Sequence, residues 1–204
     1  MPPLSSERIV RTARDMADRD GLDAVTLRRL AAELGVHVTS LYNHVPTLDA
    51  ILDGVGSLLV SDADLPDNAR NWEEWVRGFV AAVGAMAEAH PGAFAVLERR
   101  PVQGERALSS FEVALAAFAR AGLSPSESYS AVKATTHVAV AIALERALSA
   151  RGETASTDTD SLSPDRFPHV IALPKVEDPA EAWAFSVETL VAGLHTQIRR
   201  AKRR

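Results

Sequence analysis

The chain is predicted to be all-α: a three-helix domain with a helix-turn-helix, followed by a larger helical domain. Three observations lead there. Alanine is abundant and β-branched residues rarely cluster, so intrinsic propensity favours helix. Apolar residues recur at three- and four-residue steps through most of the 204 residues. The breaks between these runs carry helix caps, prolines and glycines at the positions where helices start and stop. The predicted domains are residues 1–50 and 51–204, with 152–177 as a long flexible loop.

Each element has its own signal. Ser5 and Ser6 precede a run in which Ile9, Val10, Ala13, Met16 and Ala17 share a face, and Asp20-Gly21 ends it. Thr26 can cap a short helix over Leu27–Leu34, with Leu27, Leu30, Ala31 and Leu34 turned inward. Gly35 interrupts, and a third helix is predicted over about 38–44, stopped by Pro46. Thr47 can cap the next, which carries Leu48, Ile51, Leu52, Val55 and Leu59. Residues 61–70 have the composition of a connector. Asn71 can cap a long helix through residue 90, and Pro91-Gly92 breaks it. Short and longer helices follow, over about 93–99 and 105–121. Ser124-Pro125-Ser126-Glu127 is a capping-box sequence with proline at the first helical position, predicting a helix to about residue 151. Asp178-Pro179-Ala180-Glu181 repeats that start signal. The last helix carries Trp183, Val187, Leu190, Val191, Leu194 and Ile198 and ends in a basic run, Arg199 to Arg204.

Composition excludes several classes. With no cysteine there is no disulfide, thiolate metal site or cysteine nucleophile, which suits a reducing cytoplasm. Nothing at the N-terminus reads as a signal peptide, and the most apolar stretch, 134–144, is too short to span a bilayer. There is no G-x-S-x-G, no H-E-x-x-H, no glycine-rich phosphate loop and no metal-binding cluster. An enzyme is therefore not expected, nor a cofactor or metal. Charge is less helpful. The formal net charge is −5, and residues 1–50 hold six arginines against seven acids. DNA binding must come from where the charges sit rather than from their sum.

Two short helices joined at Gly35 have the form of a DNA-reading helix-turn-helix. Ala31 is small enough for a close crossing, while Val36 and Leu41 can bury beneath the pair. The outward side offers His37, Thr39, Ser40, Asn43 and His44, polar side chains that suit a helix pressed into the major groove. The segment from Thr26 to Val36, followed by Leu41-Tyr42-Asn43-His44-Val45, resembles the TetR-type transcriptional repressors over roughly residues 6–55. That resemblance implies a homodimer on double-stranded operator DNA, with a C-terminal domain that binds a small-molecule inducer. By position, Arg28 would read a base, Val38, Thr39 and Ser40 would lie against bases or phosphate, and Thr26, Tyr42 and His44 would grip the backbone. The family usually carries a lysine where this chain has Leu48, so one phosphate contact is missing.

The C-terminal part resembles the tetracycline-repressor ligand-binding domain at Ala89-His90-Pro91-Gly92-Ala93, Arg100-Pro101, Ala121-Gly122-Leu123-Ser124 and Leu144-Glu145. In those repressors a histidine and a glutamate help hold a metal-bound drug. Glu145 falls at the glutamate position but Val96 stands in place of the histidine, so a magnesium–tetracycline ligand is not expected. The candidate pocket residues are Trp75, Phe79, Met86, Phe94, Phe111, Phe118, His137 and Glu145. Aromatic stripes at helical spacing also build plain core, and His137 could be a satisfied core histidine. The helices at about 125–151 and 179–200 are the expected dimer seam, with Val132, Ala139, Ala143 and Ala147 on one and Trp183, Val187, Leu190 and Leu194 on the other. The alternative is a helical protein-interaction module without specific DNA binding. It would account for the acidic charge, but not for short polar residues gathered on one exposed helix behind a glycine turn.

Overall fold

The structure, a computed structural model, describes residues 3–100, 104–153, 162–173 and 179–204, and every regular element among them is helical. The helices are α1 (Ser6–Asp20), α2 (Leu27–Leu34), α3 (Val38–Tyr42), α4 (Leu48–Asp62), α5 (Trp72–Ala89), α6 (Val96–Arg99), α7 (Glu105–Ala121), α8 (Pro125–Ala150), α9 (Pro168–Ile171) and α10 (Pro179–Ala201). Two 3₁₀ turns, Leu22–Ala24 and Ala93–Ala95, join them. Asp178, the expected cap of the last helix, lies outside the described residues.

The expected caps fall where the sequence places them. Ser5, Thr26, Thr47, Asn71 and Ser124 each accept a hydrogen bond from the amide three residues on. Each bond satisfies an amide that the helix itself leaves open, a contribution of about 1 kcal/mol. At Ser124 the capping box is complete, because the Glu127 carboxylate accepts from the Ser124 amide at 2.9 Å. The third helix is shorter than expected and stops at Tyr42. His44 N–H bonds back to the Leu41 carbonyl at 2.9 Å, so the last turn tightens, and Pro46 disfavours helix at Val45.

One hydrophobic core runs from Ile9, Met16, Leu30 and Leu41 in the head to Trp75, Phe94 and Phe118 in the body. α4 crosses the residue-50 boundary and packs on α1 on one side and on α6 and α7 on the other. The head is thus built onto the body through a shared helix.

The faces assigned to the dimer seam need correcting. Val132, Ala139, Ala143 and Ala147 are buried within the chain, on a helix that packs against α5, the most extensive helix pair in the fold, and against α7 and α10. Small residues do allow a close approach, but what approaches is the chain's own core. On α10, Val187 and Leu194 are buried and Leu190 is packed against the same core. Trp183 lies over Gly84 of α5, where an added methyl would meet the indole at 1.9 Å, with the Arg146 guanidinium 4.0 Å from its ring centroid. These apolar stripes close the monomer. The predicted loop also holds a structured piece, the short α9, while 154–161 and 174–178 lie outside the described residues.

Candidate functional site

The head presents a polar face on a fixed frame. Leu41 is fully buried and Val45 nearly so, anchoring α3 at its C-terminal end. Gly35 takes the left-handed conformation (φ 69°, ψ 34°) that the turn between α2 and α3 requires. Ser6 Oγ donates to the His44 carbonyl at 2.9 Å, tying the end of α3 to the start of α1. His37, Thr39, Tyr42, Asn43 and His44 are exposed, and Ser40 is half-buried. Val38 instead turns partly into the core, so its contact with DNA would be limited to its outer edge. Thr26 is exposed, and its hydroxyl oxygen is engaged by the Arg29 amide at 3.3 Å.

The two adjacent arginines of α2 have different lives. Arg29 is paired with Asp20 and also reaches the Ala24 carbonyl at 3.4 Å. Arg28 is exposed and has no ion pair or hydrogen bond among the described residues, leaving its guanidinium available. Arg19 grips Glu33 through two bonds of 2.9 and 2.8 Å, bracing α1 against α2. That grip holds the Glu33 carboxyl below its ordinary range, and the Arg19 hydrogen bond does the same for Asp20.

This pairing answers the charge problem. All seven acids of residues 1–50 have a partner: Glu7 with Arg11, Asp15 with Arg14, Asp20 with Arg19 and Arg29, Glu33 with Arg19, Asp18 with His90, Asp23 with Arg99 and Asp49 with Arg100. None lies on α3. The partners of the last three acids lie beyond position 50, and for Asp23 and Asp49 they are arginines, which no local count could register.

The body holds a partly open cavity of about 940 Å³ between α4, α5, α6, α7 and α8. Five of the expected residues line it: Trp75, Phe79, Met86, Phe111 and His137. Three do not reach it. Phe94 is wholly buried on the turn that packs against α1, α4 and α8. Phe118 is wholly buried behind the wall, 5.9 Å from the Trp72 ring and 6.2 Å from that of Trp75. Glu145 is exposed, one helical step past the lining residue Leu144. His137 is no core histidine, being exposed and without a partner among the described residues. Thr135 and Thr136 satisfy their hydroxyls on carbonyls one turn back, each at 2.9 Å. Trp75 Nε1 and Ser110 Oγ, on residues of the wall, are buried without a hydrogen bond, which is uncommon. No cluster able to hold a metal occurs among the described residues.

Sequence reading missed the cationic part of the wall. Arg99, Arg100 and Lys133 all line the cavity. Arg100-Pro101 stood in the resemblance only as a helix boundary, and nothing in the periodicity aims it at a cavity. The two arginines also reach the head. Arg99 donates to Asp23 at 2.8 Å, and Arg100 donates to Asp49 at 2.9 Å and Asp53 at 2.5 Å. The Arg100 hydrogen bond holds the Asp53 carboxyl below its ordinary value. Asp23 is 87% exposed, so the Arg99 pair contributes little. The Arg100 side chain is only 26% exposed and holds two carboxylates of α4, making it the firmer tie. Beside these, Asp18 joins His90 Nδ1 at 2.7 Å and accepts from the Ala93 amide at 2.8 Å.

An exposed helix-turn-helix carried on a helical body with an apolar cavity defines a class, the ligand-type transcriptional regulators. Comparison with known proteins narrows it. Residues 9–55 match the family model of bacterial regulatory proteins of the tetR family, and residues 65–198 match the tetracyclin repressor-like C-terminal domain. A helix-turn-helix transcriptional regulator of Saccharopolyspora erythraea is 36% identical over 122 residues, 59% of this chain but only 52% of that protein. The class D tetracycline repressor of Escherichia coli is 24% identical over 206 residues, covering 97% of this chain and 92% of that one. Among solved structures, Streptomyces coelicolor ActR in complex with actinorhodin aligns with a TM-score of 0.82 at 27% identity, covering 97% of this chain and 99% of that one. The chain belongs to the TetR family of bacterial regulatory proteins.

Proposed function

We propose that this protein binds a palindromic operator as a homodimer, represses from it, and is released when a small molecule fills the cavity. Arg28, Thr39 and Ser40 would read base edges, while Thr26, Tyr42 and His44 would hold the backbone. His37 and Asn43 flank them, and Val38 packs beneath. The observation that carries the reading is the tie between cavity and head: Arg100 lines the one and clasps Asp49 and Asp53 of α4, the helix shared with the other. A ligand that displaces α6 would move α4, and with it the angle of α3 in the groove. That is a differential contact of the kind a ligand-driven shift needs.

The family's use of dimers and the ligand bound by ActR support the two remaining parts of the reading. For the dimer we place the seam on α8 and α10, but on their outer faces, where Ala134, Leu148, Phe185, Ala192 and Gly193 are exposed. Phe185 is 74% exposed, and covering so large an apolar side chain would contribute to such a seam.

The test is fluorescence anisotropy with DNA flanking the protein's own gene. Saturable binding of two chains per site, weakened by a ligand that occupies the cavity, is the expected result. Equal affinity for flanking and random DNA at low salt, with the dimer confirmed by sedimentation, would overturn the reading in favour of a protein-interaction module.

A further inference from the structure

The cavity wall carries information about the ligand's charge. Its floor is aromatic and apolar, formed by Trp75, Phe79, Met86 and Phe111. Its volume of about 940 Å³ is toward the upper end of the range for small-molecule sites, ~300–1,000 Å³. The charged lining residues are Arg99, Arg100 and Lys133 against the single acid Glu98, a cationic excess in a chain whose acids outnumber its lysines and arginines 27 to 22. Arg99 and Arg100 are already occupied by carboxylates, Asp23 for the one and Asp49 and Asp53 of α4 for the other. Lys133 is not. It and His137 stand one turn apart on α8, both line the cavity, and neither has a partner among the described residues. The third polar group of that wall, Thr136, spends its hydroxyl on the Val132 carbonyl.

A lysine offers three donors and no acceptor, and a histidine ring adds at least one more donor. Donors gathered around one fixed positive charge, at the edge of an apolar floor, are complementary to an anionic oxygen group. We infer that the ligand is an aromatic acid, its rings against Trp75, Phe79 and Phe111 and its acidic group on Lys133 and His137. The inference rests on the cavity being the ligand site. It adds the sign of the ligand's charge and the residue that reads it.

The experiment uses two fluorescent probes of one ring system, anilinonaphthalene sulfonate and the uncharged phenylnaphthylamine, titrated into the full-length protein. The sulfonate is expected to bind about tenfold tighter than the neutral probe, the worth of one charge-assisted hydrogen bond. Lys133→Gln should lower sulfonate affinity about tenfold and leave the neutral probe unchanged, and Lys133→Arg should restore it. Lys133 is exposed, so neither substitution threatens the fold. Ala141→Trp, which fills the cavity from the α8 wall, should abolish binding of both probes. Equal affinity of the two probes, or equal losses for both in Lys133→Gln, overturns the charge inference while leaving the cavity as the ligand site. Binding of neither probe, or binding that survives Ala141→Trp, overturns the cavity reading itself.

Discussion

Gly92 meets the backbone of Ala17 so closely that a methyl group on it would lie 2.0 Å from the Ala17 carbonyl oxygen and 2.7 Å from the Asp18 Cα. The body thus touches α1 of the head main chain to main chain. Two hydrogen bonds to the Asp18 carboxylate flank that contact, one from His90 Nδ1 and one from the Ala93 amide. Backbone cannot rotate aside as a side chain can, so Gly92→Ala must separate α1 from the turn. A destabilisation of about 1–3 kcal/mol is expected, read as a lowered thermal midpoint. An unchanged midpoint would show that the contact is not kept in solution.

Arg28→Ala should relax sequence preference, because the arginine is the one cation of α2 without an ion-pair partner. The expected cost is about 1–3 kcal/mol of discrimination at one operator position. Anisotropy with the operator and a scrambled duplex measures it. Equal losses on both duplexes would assign Arg28 to the backbone.

Tyr42 is 52% exposed at the end of α3, and the proposed role of its hydroxyl is to hold phosphate. Tyr42→Phe should therefore weaken binding to all sequences alike, by about 1 kcal/mol for one lost hydrogen bond. A loss confined to the operator would contradict this role.

Leu48 opens α4 and is half-buried, so the first turn of that helix carries Asp49 but no cation. Leu48→Lys should raise affinity for any duplex and steepen the dependence of log K on log salt by about one unit. A slope that stays the same would mean the new ammonium does not reach phosphate.

The clasp between Arg100 and α4 should weaken in acid. Asp53 is held below its ordinary value of 3.8 by the Arg100 hydrogen bond, so its charged form belongs to the folded state. The contribution is complete above about that value and is lost as pH falls through the lower, folded one. Asp53→Asn lacks it at every pH. The gap in thermal midpoint between the two proteins should stay level near neutrality and close below about pH 3.8. High salt should narrow it as well, since Asp53 is half exposed.

Much of this protein is local and therefore legible. Ser5, Thr26, Thr47, Asn71 and Ser124 cap helices because a side-chain oxygen three residues before an open amide needs no tertiary partner to do so. The exposed face of α3 was legible for the same reason. Leu41 and Val45 turn one side of that short segment inward, and the polar residues between and around them are left outside.

What the chain determines by itself, then, is the succession of helices, their caps and the polar reading face, all set by neighbours a few residues apart. Tertiary structure decided the rest. Ala139, Ala143 and Ala147 announce a close approach without naming its partner, and only packing shows that they are buried within the chain's own core. Phe94 and Phe118 share the chemistry of Phe79 and Phe111, yet their helices turn them into the core, away from the cavity. The clasp from Arg100 to Asp53 joins residues 47 apart. Such pairings depend on where whole helices come to rest, and that is settled by the sum of their buried faces rather than by any one run of sequence.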